Sequence, residues 1–368
     1  MQHIRISIFM IVVALICIGL IMVYSSSAMF SLEKYHSTTF FLKRHLLHLL
    51  IGAIFTVLVM SLDLYLIRRW AKPLFIFSLI LLALVFVPYL GREVGGARRW
   101  LKLGIFGFQP SELAKWAAVL FLADILSGRS KKPAGSCGSP FLFALLGVGG
   151  ACALILLQPD LGSALALGAV SVLLFFVAGM RFSYLVTLGL LSLPVLYFSI
   201  FTVPYRRRRI LAYLNPWAYA KGSGFQLVQS YLALGLGGLW GVGLGQSRQK
   251  LFYLPAAQTD FIFSIIGEEL GLIGTVSIVV LFMLFLWQGI KISLRSPDSF
   301  IQLLSFGIVI TIVLSACFHI AVVCGAVPTK GLPLPFISYG GSALIFNMMA
   351  AGLLLNSARD RYSQEQKL

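Results

Sequence analysis

The sequence predicts an all-α polytopic integral membrane protein of about ten transmembrane helices. They form a single domain over residues 1–368, with a large outer loop between the seventh and eighth spans. Three observations predict this class. Hydrophobic residues make up 59% of the chain and charged ones 11%, and mean hydropathy is +0.94, so a soluble globule of this length would lack the polar surface to cover itself. Ten apolar stretches reach or approach the roughly 18 residues that a helix needs to cross a bilayer. More than fifty residues, about 204–259, then carry no obvious span, and loops of that length are commonly functional.

The stretches run approximately over 7–27, 46–62, 73–90, 110–127, 140–158, 161–180, 183–203, 260–288, 300–324 and 337–357. They read as helices, not barrel strands. The first, led by Arg5 and closed by Ser25-Ser-Ser-Ala28, has features of a secretory signal, but its length and the nine spans after it favour a retained helix. Cys17, Cys152, Cys317 and Cys324 fall in or beside apolar runs and Cys137 in a short polar loop, a spacing with no disulfide or metal framework.

Ten spans put both termini on one side. Lys and Arg do not choose that side, with thirteen in the loops sharing the termini and fifteen in the opposite loops. Arg68-Arg69 and Arg129-Ser-Lys-Lys132 resemble ordinary cytoplasmic anchors, so both termini are placed in the cytoplasm. The basic residues left on the outer face then oppose the usual bias. They can hold a negatively charged ligand there, or meet anionic headgroups.

The loop after the third span runs from Gly95 to Lys115. Its glycines allow close backbone approach, and Arg98, Arg99 and Lys102 offer charge-assisted donors to phosphate oxygens. Pro110 suits a first helical turn. Glu112 and Lys115, three apart, are either site residues or a pair that neutralises itself. Gln158-Pro-Asp-Leu-Gly162 repeats the Gln-Pro pattern, and Asp160 reads as a helix cap, a substrate contact or a cation ligand.

The long loop opens with Arg206, Arg207, Arg208 and Arg209, either a pyrophosphate clamp or a solvated run, and ends with Gln249, Lys250, Thr259 and Asp260. At Asp260 a basic loop meets a long apolar run. A carboxylate dehydrated on one side and faced by cations on the other suits proton transfer; Thr259 and Asp260 are also good helix caps. Asp260, Gly267, Gly271 and Gly274 would share one helix face for close packing. Glu268 and Glu269, roughly 12 Å deeper at 1.5 Å per residue, call for a function or a buried partner. In the last outer loop, Pro328 to Ser342, three prolines and a Gly-Gly pair break the helix, as at a cavity wall. Lys330, Ser338 and Ser342 are candidate ligand contacts.

Seven ordered motifs spread over nearly the whole chain carry a resemblance: Gly96-Ala-Arg-Arg-Trp100, Phe108-Gln-Pro-Ser-Glu112, Gln158-Pro-Asp-Leu-Gly162, Gln246-Ser-Arg-Gln-Lys250, Thr259-Asp-Phe-Ile-Phe263, Gly267-Glu-Glu-Leu-Gly271 and Pro333 to Ser342. With them the chain resembles the shape, elongation, division and sporulation (SEDS) family of polytopic cell-wall glycosyltransferases, which work beside class B penicillin-binding proteins. Asn215-Pro-Trp217, Gln249-Lys250 and Pro328-Thr-Lys-Gly331 are more similar to its cell-division member than to its elongation member, and the sporulation paralogue is close to the former. Where the family commonly has Pro-Glu-Ala-His or Pro-Glu-Lys-His before Thr-Asp-Phe, this chain has Pro255-Ala-Ala-Gln258. An acidic residue and a histidine are thus missing beside Asp260.

The resemblance implies lipid II as substrate, polymerised to β-1,4 glycan on the outer face of the cytoplasmic membrane for septal wall synthesis. Asp260 would be the general base for the acceptor 4-hydroxyl. Arg98, Arg99, Lys330 and the Arg206–Arg209 run, or a divalent cation such as Mg2+, would stabilise the undecaprenyl pyrophosphate leaving group. Implied partners are a class B penicillin-binding protein, other division proteins and membrane lipid, and no nucleic acid. A lipid II flippase and a non-catalytic scaffold are the rival expectations. The outer crowding of the motifs favours the enzyme.

Overall fold

Each of the ten apolar stretches corresponds to one helix. Without water to take up backbone N–H and C=O groups, a chain in lipid satisfies them within itself. The computed structural model describes residues 1–94, 97–103, 106–128, 139–251 and 253–359, excepting the side chains of Val94, Ala97, Lys102, Leu103 and Phe106. The anchors expected at Arg129, Lys131 and Lys132, with Arg361, Lys367, Cys137 and Gly95-Gly96, lie outside the described residues.

In chain order the elements begin with α1 (Gln2–Tyr35), α2 (Phe40–Ser61) and α3 (Leu64–Leu84), followed by strands β1 (Gly91–Val94), β2 (Ala97–Leu103) and β3 (Phe106–Phe108). Helices α4 (Pro110–Ser127), α5 (Ser139–Leu157), α6 (Leu161–Val177) and α7 (Phe182–Phe201) follow, then α8 (Pro204–Leu214) and α9 (Phe225–Gly237), and finally α10 (Ile262–Arg295), α11 (Ser299–Val323) and α12 (Gly341–Ser357). Among the described residues, six helices are long and apolar enough to cross a membrane by length and composition, and α6 and α12 are shorter apolar helices. The protein is a multi-pass helical membrane protein.

Local chemistry sets several boundaries. Asp63 and Asp298 accept the Tyr65 and Phe300 amides at 3.0 and 2.7 Å, capping α3 and α11. Pro110 opens α4 where no backbone donor is needed. Helix α4 is buried on nearly all sides and packs against α3, α5, α6, α11 and α12; α7, with Leu185 its one buried residue, stands at the periphery.

Two expectations need correction and one gains detail. The fold is not wholly α: β1, β2 and β3 form an antiparallel sheet in that order over the loop that carries Arg98, Arg99 and Lys102. The 204–259 segment, expected as a long loop with no span, contains the short helices α8 and α9, and α9 packs along α10. The glycine face of α10 is not continuous either. Gly271 takes φ 65° and ψ −161°, which breaks the helix there and favours glycine.

The break explains the course of the loop. In an unbroken helix the Glu268 carbonyl would take the Leu272 amide, and Glu269 that of Ile273. Here Leu272 and Ile273 donate instead to Gly238 and Leu239, at 2.9 and 3.3 Å, while the Glu268 and Glu269 carbonyls accept from Val242 and Gly243, at 2.9 and 3.1 Å. Residues 238–243, just past α9, thus replace the bonds that α10 gives up. Gly237 and Gly241 pass so close to α10 that a Cβ on either would overlap the Gly267 or Glu269 carbonyl.

Candidate functional site

Asp260 lies two residues before α10, at the end of a turn in which the Ala256 carbonyl accepts both the Thr259 and Asp260 amides at 3.1 Å. Ala256 adopts φ 57° to make it, a left-handed conformation unusual for a residue with a Cβ. Asp260 does not cap α10; the N-cap position is Phe261, and it makes no side-chain cap bond. The carboxylate instead backs onto Gly331, where a Cβ would come within 2.7 Å of Oδ2. Burial raises the Asp260 pKa above its usual value, against the opposing pull of Arg209, a hydrogen bond from Thr259 and Arg99.

The basic residues divide on their helical faces. Arg206 and Arg209, three apart on α8, are half-buried, while Arg207 and Arg208 are exposed. Arg209 donates to the Thr329 carbonyl at 2.7 Å and lies over the Tyr205 ring; Arg206 donates to the Ser199 carbonyl at 2.6 Å. The expected four-arginine clamp is therefore two inward residues and two outward ones. From the sheet, Arg99 reaches Asp160 at 3.8 Å, and its buried Nε has no hydrogen-bond partner among the described residues. Arg98, on the alternate face, meets Glu93 at 3.6 Å with both side chains exposed.

Asp160 caps α6 through Ser163, accepting its amide at 3.1 Å and its hydroxyl at 2.8 Å. Lys330 packs beside Gly162 and Asp160. Burial first, then Arg206 and Arg209, lower its pKa to about 8 against the pull of Asp160. Asp260, Asp160, Arg99, Arg206, Arg209 and Lys330 thus form one electrostatically connected group where β2, α6, α8, α10 and the 329–332 segment meet. Such a group can accept a proton at one carboxylate and hold a polyanion beside it.

Other expected site residues lie elsewhere. Lys250 is buried against Glu269 at 2.7 Å and bonds Ser25 at 3.1 Å. Ser25 donates to Glu269 at 2.7 Å. Glu268 accepts from the Ser247 hydroxyl and from the Arg248 and Gln249 amides, the latter two at 2.8 and 3.4 Å. The two deep acids thus have buried partners, and with Lys250 they tie α1, α10 and the segment after α9 together. Glu112 and Lys115 pair with each other at 2.9 Å. The Ser338 hydroxyl donates to the Thr259 carbonyl at 2.7 Å and accepts the Leu334 amide at 2.8 Å, fixing the last loop to the residue before Asp260. Ser342 is buried at the start of α12. The Lys102 side chain is outside the described residues.

Among the described residues no three His, Cys, Asp or Glu side chains gather as a metal cage. A divalent cation would fit only by bringing most of its ligands as substrate oxygens and water, as magnesium does at phosphate sites. Two contributors escaped the sequence reading. Gly331 forms the wall behind Asp260. His319, whose Nδ1 lies 2.7 Å from the Leu332 carbonyl, was discoverable as an ionisable residue within an apolar span.

Fold and site define a multi-pass helical membrane protein whose cation-ringed carboxylates sit at the ends of its helices. A family model covering FtsW, RodA and SpoVE, described as cell cycle protein, matches residues 5–363, and the chain belongs to this family. It is 46% identical over 347 residues to the probable peptidoglycan glycosyltransferase FtsW of Geobacter sp. strain M18, covering 94% of each chain. Stage V sporulation protein E of Bacillus subtilis strain 168 is 45% identical over 349 residues, 95% of each chain. Among solved structures, RodA of Thermus thermophilus matches with a TM-score of 0.71 at 30% identity over 96% of both chains. A chain from a peptidoglycan synthase complex that coordinates polymerisation and crosslinking matches with a TM-score of 0.78 at 31% identity, over 96% of this chain and 97% of that one.

Proposed function

We propose that this protein is an inverting peptidoglycan glycosyltransferase that polymerises lipid II into β-1,4 glycan on the outer face of the cytoplasmic membrane. In this reading it has ten spans, cytoplasmic termini and a class B penicillin-binding protein as partner, and it serves septal wall synthesis. The names of the relatives support the activity, and the observation that carries the mechanism is the grouping of Asp260 with Arg99, Arg209 and Lys330.

Asp260 accepts the proton of the acceptor 4-hydroxyl as that oxygen attacks the donor anomeric carbon. Its raised pKa brings it closer to the working pH, where a general base is most effective. The glycosidic bond to undecaprenyl pyrophosphate breaks with inversion. Charge developing on the leaving oxygen meets Arg99, Arg206, Arg209 and Lys330, held in place before the reaction. A Mg2+ ion carried in on the pyrophosphate is the form in which a divalent cation fits this donor set.

The test is polymerisation of labelled lipid II by the purified protein with its penicillin-binding partner, comparing wild type with Asp260→Ala and Asp260→Asn. Glycan from wild type alone, with folding and partner binding intact in both variants, supports the reading. Normal polymerisation by the variants removes the base assignment. Transbilayer movement of lipid II without glycan would mean a flippase, and activation of the partner by the Asp260 variants a scaffold.

A further inference from the structure

The segment from Thr329 to Leu332 is pinned at both ends, and the transferase reading uses only one of the pins. From α8 Arg209 donates to the Thr329 carbonyl at 2.7 Å. At the other end His319, buried on α11, brings Nδ1 to 2.7 Å from the Leu332 carbonyl. A carbonyl only accepts, so Nδ1 carries the proton and Nε2 is bare. That Nε2 is itself buried and has no hydrogen-bond partner among the described residues.

The turn between the pins is tight. The Leu332 amide folds back onto the Lys330 carbonyl at 3.1 Å. Gly331, at its centre, lies so near the Asp260 carboxylate that a Cβ there would come within 2.7 Å of Oδ2 and shift it, and the Lys330 side chain lies beside Gly162 near Asp160. Displacement of the Leu332 carbonyl therefore displaces the backing of one carboxylate and the cation beside the other. A buried imidazole with one unpartnered nitrogen is an unfavourable way to fill a core position. The bond to Leu332 is what the position gains.

The geometry points to His319 as a positioning residue: through Nδ1 it fixes the Lys330–Leu332 turn, and so holds Gly331 against Asp260 and Lys330 beside Asp160. The inference rests on the proposed transferase reading, in which Asp260 and Lys330 serve the reaction. It does not place His319 in contact with substrate.

Two amides of different reach separate positioning from packing. In His319→Asn the amide nitrogen falls near the place of Nδ1, whereas in His319→Gln it extends toward that of Nε2; His319→Leu has no donor. With full-length protein and its penicillin-binding partner on labelled lipid II, kcat should fall about ten- to hundred-fold in the Gln and Leu variants, the scale expected for a misplacement of about 1 Å. KM should stay within about twofold and the Asn variant within about threefold of wild type. In parallel, labelling of Lys330 by an amine-reactive ester, followed across pH by mass spectrometry, should change in the Gln and Leu variants but not in Asn. Equal behaviour of Asn and Gln overturns the inference, as does Lys330 labelling that is the same in all four proteins. If His319→Leu does not fold, the Asn and Gln pair decides. If wild type makes no glycan the transferase reading fails, and Lys330 labelling still settles what His319 holds.

Discussion

Lys330 gives the proposed site a pH signature of its own. Its pKa is lowered to about 8, by burial first and then by Arg206 and Arg209, with Asp160 opposing. The cation form is the one that can stabilise a departing pyrophosphate, so the contribution of Lys330 is complete at neutral pH and lost as pH rises through about 8. One pH unit above that value about one-tenth of the side chains remain protonated. kcat/KM for lipid II, which reports the free enzyme, should therefore fall about tenfold between pH 7 and pH 9. The bound pyrophosphate favours the protonated amine, so kcat should fall only at higher pH. Lys330→Arg, which keeps its charge throughout, should flatten the alkaline limb. Asp160→Asn removes the group that raises the Lys330 pKa and should move the limb to lower pH. Initial rates of glycan formation from pH 5 to pH 10, with melting curves to confirm folding at each point, measure all three. A wild-type profile flat to pH 10, or the same fall in Lys330→Arg, would refute the assignment.

The acid limb has the opposite sign. Asp260 works as a base only when ionised, and since burial raises its pKa activity should disappear at a higher pH than an ordinary carboxylate would dictate, in the same pH series. Arg209→Gln removes a cation that favours the ionised form and should shift this limb upward, whereas Arg207→Gln, on the exposed face of α8, should leave it unmoved. Gly331→Ala, whose Cβ would meet Asp260 Oδ2 at 2.7 Å, should reduce kcat by about tenfold or more while the protein still elutes as a folded species. Lys250→Met strands Glu269 in a buried site and should cost about 3–5 kcal/mol; Lys250→Met with Glu269→Gln should regain most of it in chemical or thermal unfolding, a recovery that a packing defect alone would not show.

The apolar helices and the position of Asp260 near the start of one were legible because both are local. An apolar stretch near 20 residues long has few alternatives to a helix, and a carboxylate at the boundary of such a stretch is visible without knowing what lies across from it. The partners of that carboxylate were not legible, since they arrive from β2, α6, α8 and the 329–332 segment, as much as 161 residues away for Arg99. The four arginines show the same limit: their run can be read directly, but the inward turn of Arg206 and Arg209 depends on α8, which a basic run does not announce as a helix.

Lys250 shows the same limit from the other side: it reads as a candidate substrate cation, and the sequence does not show its pairing with Glu269 deep in α10. The link is physical. Once Gly271 breaks α10, the freed Glu268 and Glu269 carbonyls draw residues 242–243 alongside the helix. Following that segment, Ser247, Arg248 and Gln249 meet the Glu268 side chain, and Lys250 that of Glu269. A conformation available chiefly to glycine, at one residue, thus decides where a lysine twenty-one positions earlier spends its charge. No periodicity in the sequence carries that information, because the broken helix and the intact one share the same pattern of apolar residues.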